Sequence, residues 1–249
     1  MSRLLYLEDA AHWRCEARLT AVIETAEGVA IELDTSPFYP RGGGQPSDTG
    51  TMVGPGGRMT VRQVSRTAEG TVVHEGQLLA GSLIVGETVM ATIDRDARLR
   101  NARLHTAGEV ICAAAAELGR RWPVTAASHI PGQSRVAFQT DLGVKEVPAF
   151  IASLKSGFAA IVARDEPVET MNDVAPDEAR RLCALDAAVI DGKHGPLRLV
   201  SPVRGFYRPC MGAHLQRTGE IGEIVFRKTR LRDGELSISY ALGEGTDSS

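Results

Sequence analysis

Cysteine is scarce in this sequence, and its four copies, Cys15, Cys112, Cys183 and Cys210, lie far apart. That excludes a disulfide scaffold and suits a reducing compartment, where a cysteine that matters does so as a thiolate. Positive charge is not in excess either: the formal net charge is −3 and the pI about 6.1. Nucleic-acid binding would therefore rest on a local basic patch, because the field of the whole chain is weakly acidic. The N-terminal stretch MSRLLYLEDAAHWRC holds no apolar run long enough for a signal peptide. No run is expected to reach the roughly 18 residues of a membrane span, so the expectation is a cytosolic protein without a membrane partner. The three glycines at 42–44 are followed by Gln-Pro-Ser rather than Gly-Lys-Ser/Thr, and no helix is expected next, which excludes a phosphate-binding P-loop.

With 249 residues, 43% of them hydrophobic, the chain can bury a sizeable core as one large domain or two modest ones. The pattern splits near residue 93. Before it, β-type runs at Leu19 to Ile23, Val29 to Leu33, Thr60 to Val64, Thr71 to Val73 and Thr88 to Ile93 alternate with glycine-rich breaks, which predicts a small β domain, barrel-like, over residues 1–93. After Asp94, RDARLRNARLHTAGEVICAAAAELG has helical periodicity through Leu99, Ala102, Leu104, Ala107, Val110 and Ile111, with Gly119 as its stop. A strand is expected at SRVAFQTDL, helices at Glu146 to Val162 and Pro176 to Leu182, and strands at Leu197 to Pro202, Glu220 to Arg230 and Glu235 to Ala241. Asp233-Gly234 is a hairpin signal, and the tail Gly243 to Ser249 is expected to fray. Residues 94–249 thus read as an α+β domain.

Two pairs carry the chemistry. His105 and Glu109 are four positions apart, as are Cys210 and His214, and on a helix each pair would project from one face. Brought together they offer one thiolate, two imidazoles and one carboxylate, a set that zinc accepts. In SPFYPRGGGQPSDTG, the glycines Gly42, Gly43 and Gly44 predict a tight turn or bulge, with a loop lining a substrate pocket, together with Gln45, as the functional alternative. The hydroxyl of Thr49 beside it either contacts what the pocket binds or stabilises a turn, and His129 either lines the pocket or is structural. Cys112, two helical turns from His105, is assigned to packing. His12, His74 and His194 have no partner at ligand spacing.

LYLEDAAHWRCEARL, FYPRGGGQPSDTG, the R-x-x-L-H-T-A-G segment and C-x-x-x-H followed by RTGEIG occur in the order found in the editing domain of alanyl-tRNA synthetases. On these motifs the chain resembles the free-standing alanyl-tRNA editing proteins of the AlaX type, in the medium form with the glycine-rich loop, from about Leu4 to Tyr240. The resemblance implies an α+β fold, a small β-barrel followed by an editing domain shared with threonyl-tRNA synthetases. It also implies hydrolysis of the ester joining a wrong amino acid, serine or glycine, to the acceptor end of tRNA(Ala). The family's H-x-x-x-H and C-x-x-x-H bind zinc; His105, Cys210 and His214 match, whereas position 109 is glutamate. Glu109 is then a substitute ligand, a general base beside a three-ligand site, or a sign of lost metal binding.

Arginines at 95, 98, 100 and 103, at 204 and 208, and Arg227, Lys228, Arg230 and Arg232 would supply a phosphate-facing surface, or else are ordinary solvated charges. Two rival functions remain open: a metal-free RNA- or protein-binding module on the editing fold, and a metallohydrolase of another aminoacyl-tRNA or amino-acid ester.

Overall fold

The computed structural model describes residues 2–183, 187–192 and 195–243; His194 and the tail 244–249 lie outside them. The chain divides into two compact units, Met1–Arg100 and Asn101–Ser249. The fold is α+β.

In the first unit the strands are β1 (Arg3–Leu4), β2 (Arg14–Thr25), β3 (Gly28–Leu33), β4 (Thr35–Ser36), β5 (Gly50–Val53), β6 (Gly57–Arg66), β7 (Val72–Gly81) and β8 (Thr88–Ile93). Six of them close into a barrel in the order β2-β3-β7-β6-β5-β8. Alternation makes the barrel: Ala17 and Leu19, Ile31 and Leu33, Met59 and Val61, and Val89, Ala91 and Ile93 are buried at every second position. Every run expected before residue 93 is a strand here, and β5, too short and glycine-led to be read from the sequence, closes the ring against β6 and β8.

The glycine-rich segment is a tight turn. Gly42 and Gln45 exchange backbone bonds at 2.8 and 3.3 Å, and Gly43 and Gly44 between them have φ of 53° and 77°, the left-handed region that favours glycine. The turn is fastened to the barrel by Arg41 N–H to the Val64 carbonyl and by Val64 N–H to Ser47 Oγ. Asp48 is fully buried, accepts Tyr39 N–H at 2.7 Å, and accepts both the Nε and an Nη of Arg98. Arg98 also donates to the carbonyls of Ala10 and Pro37. It is therefore an internal cross-link, which corrects its assignment to a phosphate-facing surface.

His74 is buried in the barrel wall. Its Nδ1 faces the Ile31 carbonyl at 3.0 Å and so carries the proton, leaving Nε2 to accept from Ser36 Oγ at 2.8 Å. Burial lowers its pKa to about 4. The folded state thus binds fewer protons than the unfolded state below the ordinary histidine range. The stability this provides is complete above pH ~6.5 and is lost as pH falls towards 4, about 3 kcal/mol in all. Urea unfolding of wild type and His74→Gln at pH 7 and pH 4.5 checks this: the gap between the two proteins is expected to narrow on acidification, and a constant gap refutes the assignment.

Helix α1 (Arg95–Glu117) begins where Asp94 caps the Ala97 N–H through its side chain. It ends in a Schellman arrangement, with Gly119 N–H bonded to Ala116 and Arg120 N–H to Ala115. The second unit continues with β9 (Val124–Ser128), β10 (Arg135–Gln139), α2 (Val147–Arg164), β11 (Glu169–Val174), α3 (Pro176–Leu182), α4 (Ala187–Asp191), β12 (Leu197–Ser201), β13 (Arg208–Pro209), β14 (Ile224–Arg232) and β15 (Glu235–Leu242). Two antiparallel sheets form, β14-β15-β10-β9 and β11-β12-β13. Asp233-Gly234 makes the expected turn, with Arg232 opposite Glu235. The run expected from Glu220 opens instead as a 3-10 turn, Thr218–Ile221, because the Gly222 break delays the strand to Ile224. Strands β9 and β11 carry mixed polar residues and are held by pairing to β10 and β12 rather than by their own pattern.

Helix α2 corrects one expectation. Its 18 residues have a mean hydropathy of 1.3, long and apolar enough by composition to cross a membrane. Its buried residues, Phe150, Leu154, Phe158 and Ile161, nevertheless follow the three- and four-residue spacing of a single core-facing stripe.

Candidate metal centre

Two segments of the second unit build the centre. Helix α1 supplies His105 and Glu109, one turn apart and both buried. The other segment follows β13, which pairs with β12 so that Leu199 faces Pro209 and Cys210 leaves the sheet at a fixed point. Cys210 N–H bonds the Arg198 carbonyl, and Arg198 Nη1 donates to the carbonyls of Cys210 at 2.9 Å and Gly212 at 3.0 Å. These carbonyls are taken by a guanidinium instead of helical N–H groups. Cys210 to His214 is consequently an irregular loop, not the helical turn that the spacing suggests. The two ligand-type side chains meet because the loop curls, with Pro209 before it and Gly212 inside it.

Cys210 Sγ lies 3.4 Å from His105 Nε2 and 3.3 Å from His214 Nε2. The donor atoms of the three residues are all within 4.8 Å of one another, the one such group among the described residues. Gly212 sets this distance: a Cβ there would fall 2.1 Å from His105 Cε1, so the loop lies flat on the imidazole ring. His214 Nδ1 is 3.2 Å from Thr106 Oγ1, which also accepts the Leu215 N–H. A proton on Nδ1 donated to Thr106 leaves Nε2 directed at the cluster.

His129 stacks on His105, with ring centroids 4.1 Å apart and planes 17° from parallel. Its Nδ1 is 2.7 Å from the Tyr240 hydroxyl, which donates to the Leu104 carbonyl at 3.1 Å. Gly108 leaves room for this, since a Cβ on it would sit 2.5 Å from His129 Cε1 and 2.6 Å from Tyr240 Oη. His129 thus backs the ring of His105. Of the other residues singled out from the sequence, Gly42, Gly43, Gly44, Gln45 and Thr49 belong to the first unit. Cys112 is buried on α1, 3.3 Å from Arg208 Nη1.

Glu109 stands beside the group. Its Oε1 is 3.9 Å from His105 Nε2, and its Oε2 is 3.1 Å from Arg208 Nη1. The cluster of mutually close donors comprises His105, Cys210 and His214 without it.

Burial dominates the electrostatics. It pushes the Cys210 thiol up to about 12, with the Glu109 charge adding to the rise. It holds the imidazoles of His105 and His214 well below the ordinary histidine range, with neighbouring His129 and Arg198 acting in the same direction. His129 falls to about 3 through burial and then the charge of Arg208. Each group is driven to its neutral form in a space built for polar atoms. A cation there would be met by two imidazoles already able to donate lone pairs, and would need to displace only the thiol proton.

Sequence reasoning reached the ligand-type residues but not their supports. Arg198, Thr106 and Tyr240 act from distant positions. Gly108 and Gly212, each within two or three residues of a ligand-type histidine, were the available signal. Arg103 is also buried, with its Nε donating to the Ile221 carbonyl, so it too leaves the phosphate-facing set.

The family described as tRNA synthetases class II (A) matches residues 10–97. Over most of its length the chain is similar to alanine–tRNA ligases. That of Salinispora tropica is 33% identical over 221 residues, 87% of this chain and 24% of the ligase. That of Methanoregula boonei is 31% identical over 246 residues, 97% of this chain and 26% of the ligase. The ligase of Korarchaeum cryptofilum is 31% identical over 249 residues, again 97% of this chain and 26% of the ligase. The chain therefore spans about a quarter of the length of the curated relatives it matches. The family match covers the barrel, whereas the ligase similarity at 97% of the chain also takes in the segments that carry His105, Cys210 and His214, and over that length the chain is similar to alanine–tRNA ligases.

Proposed function

We propose that this chain hydrolyses the ester of a wrong amino acid on tRNA(Ala), with zinc held by His105, Cys210 and His214. The observation that carries the reading is the buried Cys–His–His cluster in a chain related to alanine–tRNA ligases. The donor set fits the ion. A tetrahedron with zinc–sulfur bonds of about 2.3 Å and zinc–nitrogen bonds of about 2.0–2.1 Å has a sulfur–nitrogen edge of about 3.5 Å. The two edges here measure 3.4 and 3.3 Å. Zinc bound there would act as a Lewis acid on the ester carbonyl. The chain's own residues do the rest: Arg198 holds the loop, Thr106 fixes the His214 tautomer, and His129 backs His105.

Serine and glycine are the proposed amino acids, because a pocket made for alanine cannot strongly reject a smaller residue or one that adds a single hydroxyl. The proposed site of action is the cytosol. Zinc content by elemental analysis, with a panel of mischarged tRNAs, tests the proposal. The expected result is one zinc per chain and faster deacylation of seryl- or glycyl-tRNA(Ala) than of alanyl-tRNA(Ala). Affinity for tRNA without zinc or turnover would make the chain a binding module. Turnover of simple amino-acid esters without preference for tRNA(Ala) would make it a different hydrolase.

The acceptor end needs a cationic surface. With Arg98 and Arg103 internal, the remaining concentration in the second unit is the edge strand β14, where Arg227, Lys228, Arg230 and Arg232 are all exposed. Replacing Arg227, Lys228 and Arg230 together with alanine is expected to weaken tRNA(Ala) binding. The slope of log affinity against log salt should also fall by about one for each phosphate that the variant no longer neutralises. Filter-binding titrations at several salt concentrations check this; an unchanged slope excludes the strand as a tRNA-binding surface.

A further inference from the structure

We infer that Arg208 is a positioning residue that holds Glu109 beside the His105–Cys210–His214 group rather than within it, so that those three residues would hold the metal and the carboxylate would stand next to it. This rests on the zinc-hydrolase reading above. Three observations support it. First, Arg208 opens β13 and Cys210 follows directly after that strand, so one short segment carries both the guanidinium and the thiol to α1. Second, Arg208 Nη1 reaches Glu109 Oε2 at 3.1 Å and Cys112 Sγ at 3.3 Å, two side chains one helical turn apart. The guanidinium lies along that face of α1, and its side chain is only 16% exposed. Third, Glu109 Oε1 stands 3.9 Å from His105 Nε2, longer than the roughly 3.3 Å edge of a tetrahedral zinc site with nitrogen and oxygen ligands. The contacts from Cys210 Sγ are already at coordination spacing.

Charge gives the arrangement its purpose. His105, Cys210 and His214 would bring one thiolate and two neutral imidazoles to a divalent ion, which would leave it a net positive charge for polarising an ester carbonyl. A second anionic ligand would cancel it. Arg208 offsets the Glu109 charge outside the ligand set, so the carboxylate is kept close without joining that set. There Glu109 serves as general base. The oxygen of a water forms a bond to the ester carbonyl carbon and its proton passes to Oε1. The bond between that carbon and the ribose oxygen then breaks, and the proton goes to the departing ribose oxygen, giving free amino acid and a tRNA hydroxyl.

The test uses the zinc-loaded protein, its cobalt(II)-substituted form, and the variants Glu109→Gln, Arg208→Ala and Arg208→Lys, each checked for folding by thermal melting. Glu109→Gln is expected to keep one zinc per chain while kcat falls by roughly 10²–10⁴-fold. Arg208→Ala is expected to lower kcat by about 10–100-fold and to shift the cobalt absorption bands, because the released carboxylate swings into the coordination sphere. Arg208→Lys should restore the wild-type bands in part. Loss of zinc from folded Glu109→Gln overturns the inference by making Glu109 a ligand, and wild-type bands and kcat in folded Arg208→Ala overturn it as well. Should Arg208→Ala fail to fold, Glu109→Gln and Arg208→Lys decide the question. Wild type without zinc refutes the hydrolase reading itself, an outcome distinct from either of these.

Discussion

Cys210→Ala is expected to abolish zinc binding and deacylation together. Cys210 Sγ is the shared vertex of the cluster, 3.4 Å from one imidazole and 3.3 Å from the other, so its removal leaves two histidines without the anionic ligand. Burial holds the free thiol at a pKa of about 12, and the thiolate exists here only through what binds it. Losing a Lewis acid worth several kcal/mol of transition-state stabilisation corresponds to at least about a hundredfold loss in kcat. The fold should survive, because Arg198 grips the backbone carbonyls of the loop rather than the sulfur. Elemental analysis and single-turnover deacylation on the same preparation give the answer. A folded variant that retains zinc, or that deacylates at the wild-type rate, removes Cys210 from the centre.

Arg98→Met should be the most destabilising single change in the barrel unit. The side chains of Arg98 and Asp48 are 1% and 0% exposed, and the guanidinium also satisfies the carbonyls of Ala10 and Pro37. Removing one member of a buried pair leaves an uncompensated charge, at a cost of about 3–5 kcal/mol. At roughly 2–4 °C per kcal/mol, the midpoint of thermal unfolding falls by about 6–20 °C. The double variant Arg98→Met/Asp48→Asn is expected to recover part of the loss, since the stranded charge is gone. A fall of less than ~1 kcal/mol in Arg98→Met would place the pair among ordinary surface ion pairs.

The motif FYPRGGGQPSDTG illustrates what was legible and what was not. Its glycines marked a tight turn, and Gly43 and Gly44 take the left-handed conformations that such a turn requires. The role of Asp48 at its end was hidden, because its partner Arg98 is fifty positions away and looks like one more cation in an arginine-rich stretch. The same limit applied to Arg208. Next to Cys210 it read as a charge for phosphate, whereas α1 presents Glu109 and Cys112 to it. Charge identity is local, but the partner of a charge is set by the fold.

The sequence by itself determined the periodicities, and with them the barrel strands, the long helix through His105, the hairpin at Asp233-Gly234 and the types of ligand available. These follow from neighbouring residues, whose spacing decides which side chains share a face. Tertiary structure decided the closure of the barrel by β5 and the irregular path of Cys210 to His214. It also decided the stacking of His129 on His105 and the division of labour among Arg98, Arg103, Arg198 and Arg208. Each of these depends on a buried polar group finding its partner across more than ten residues of chain, or on a backbone approach that only glycine permits. Neither leaves a periodic mark in the sequence.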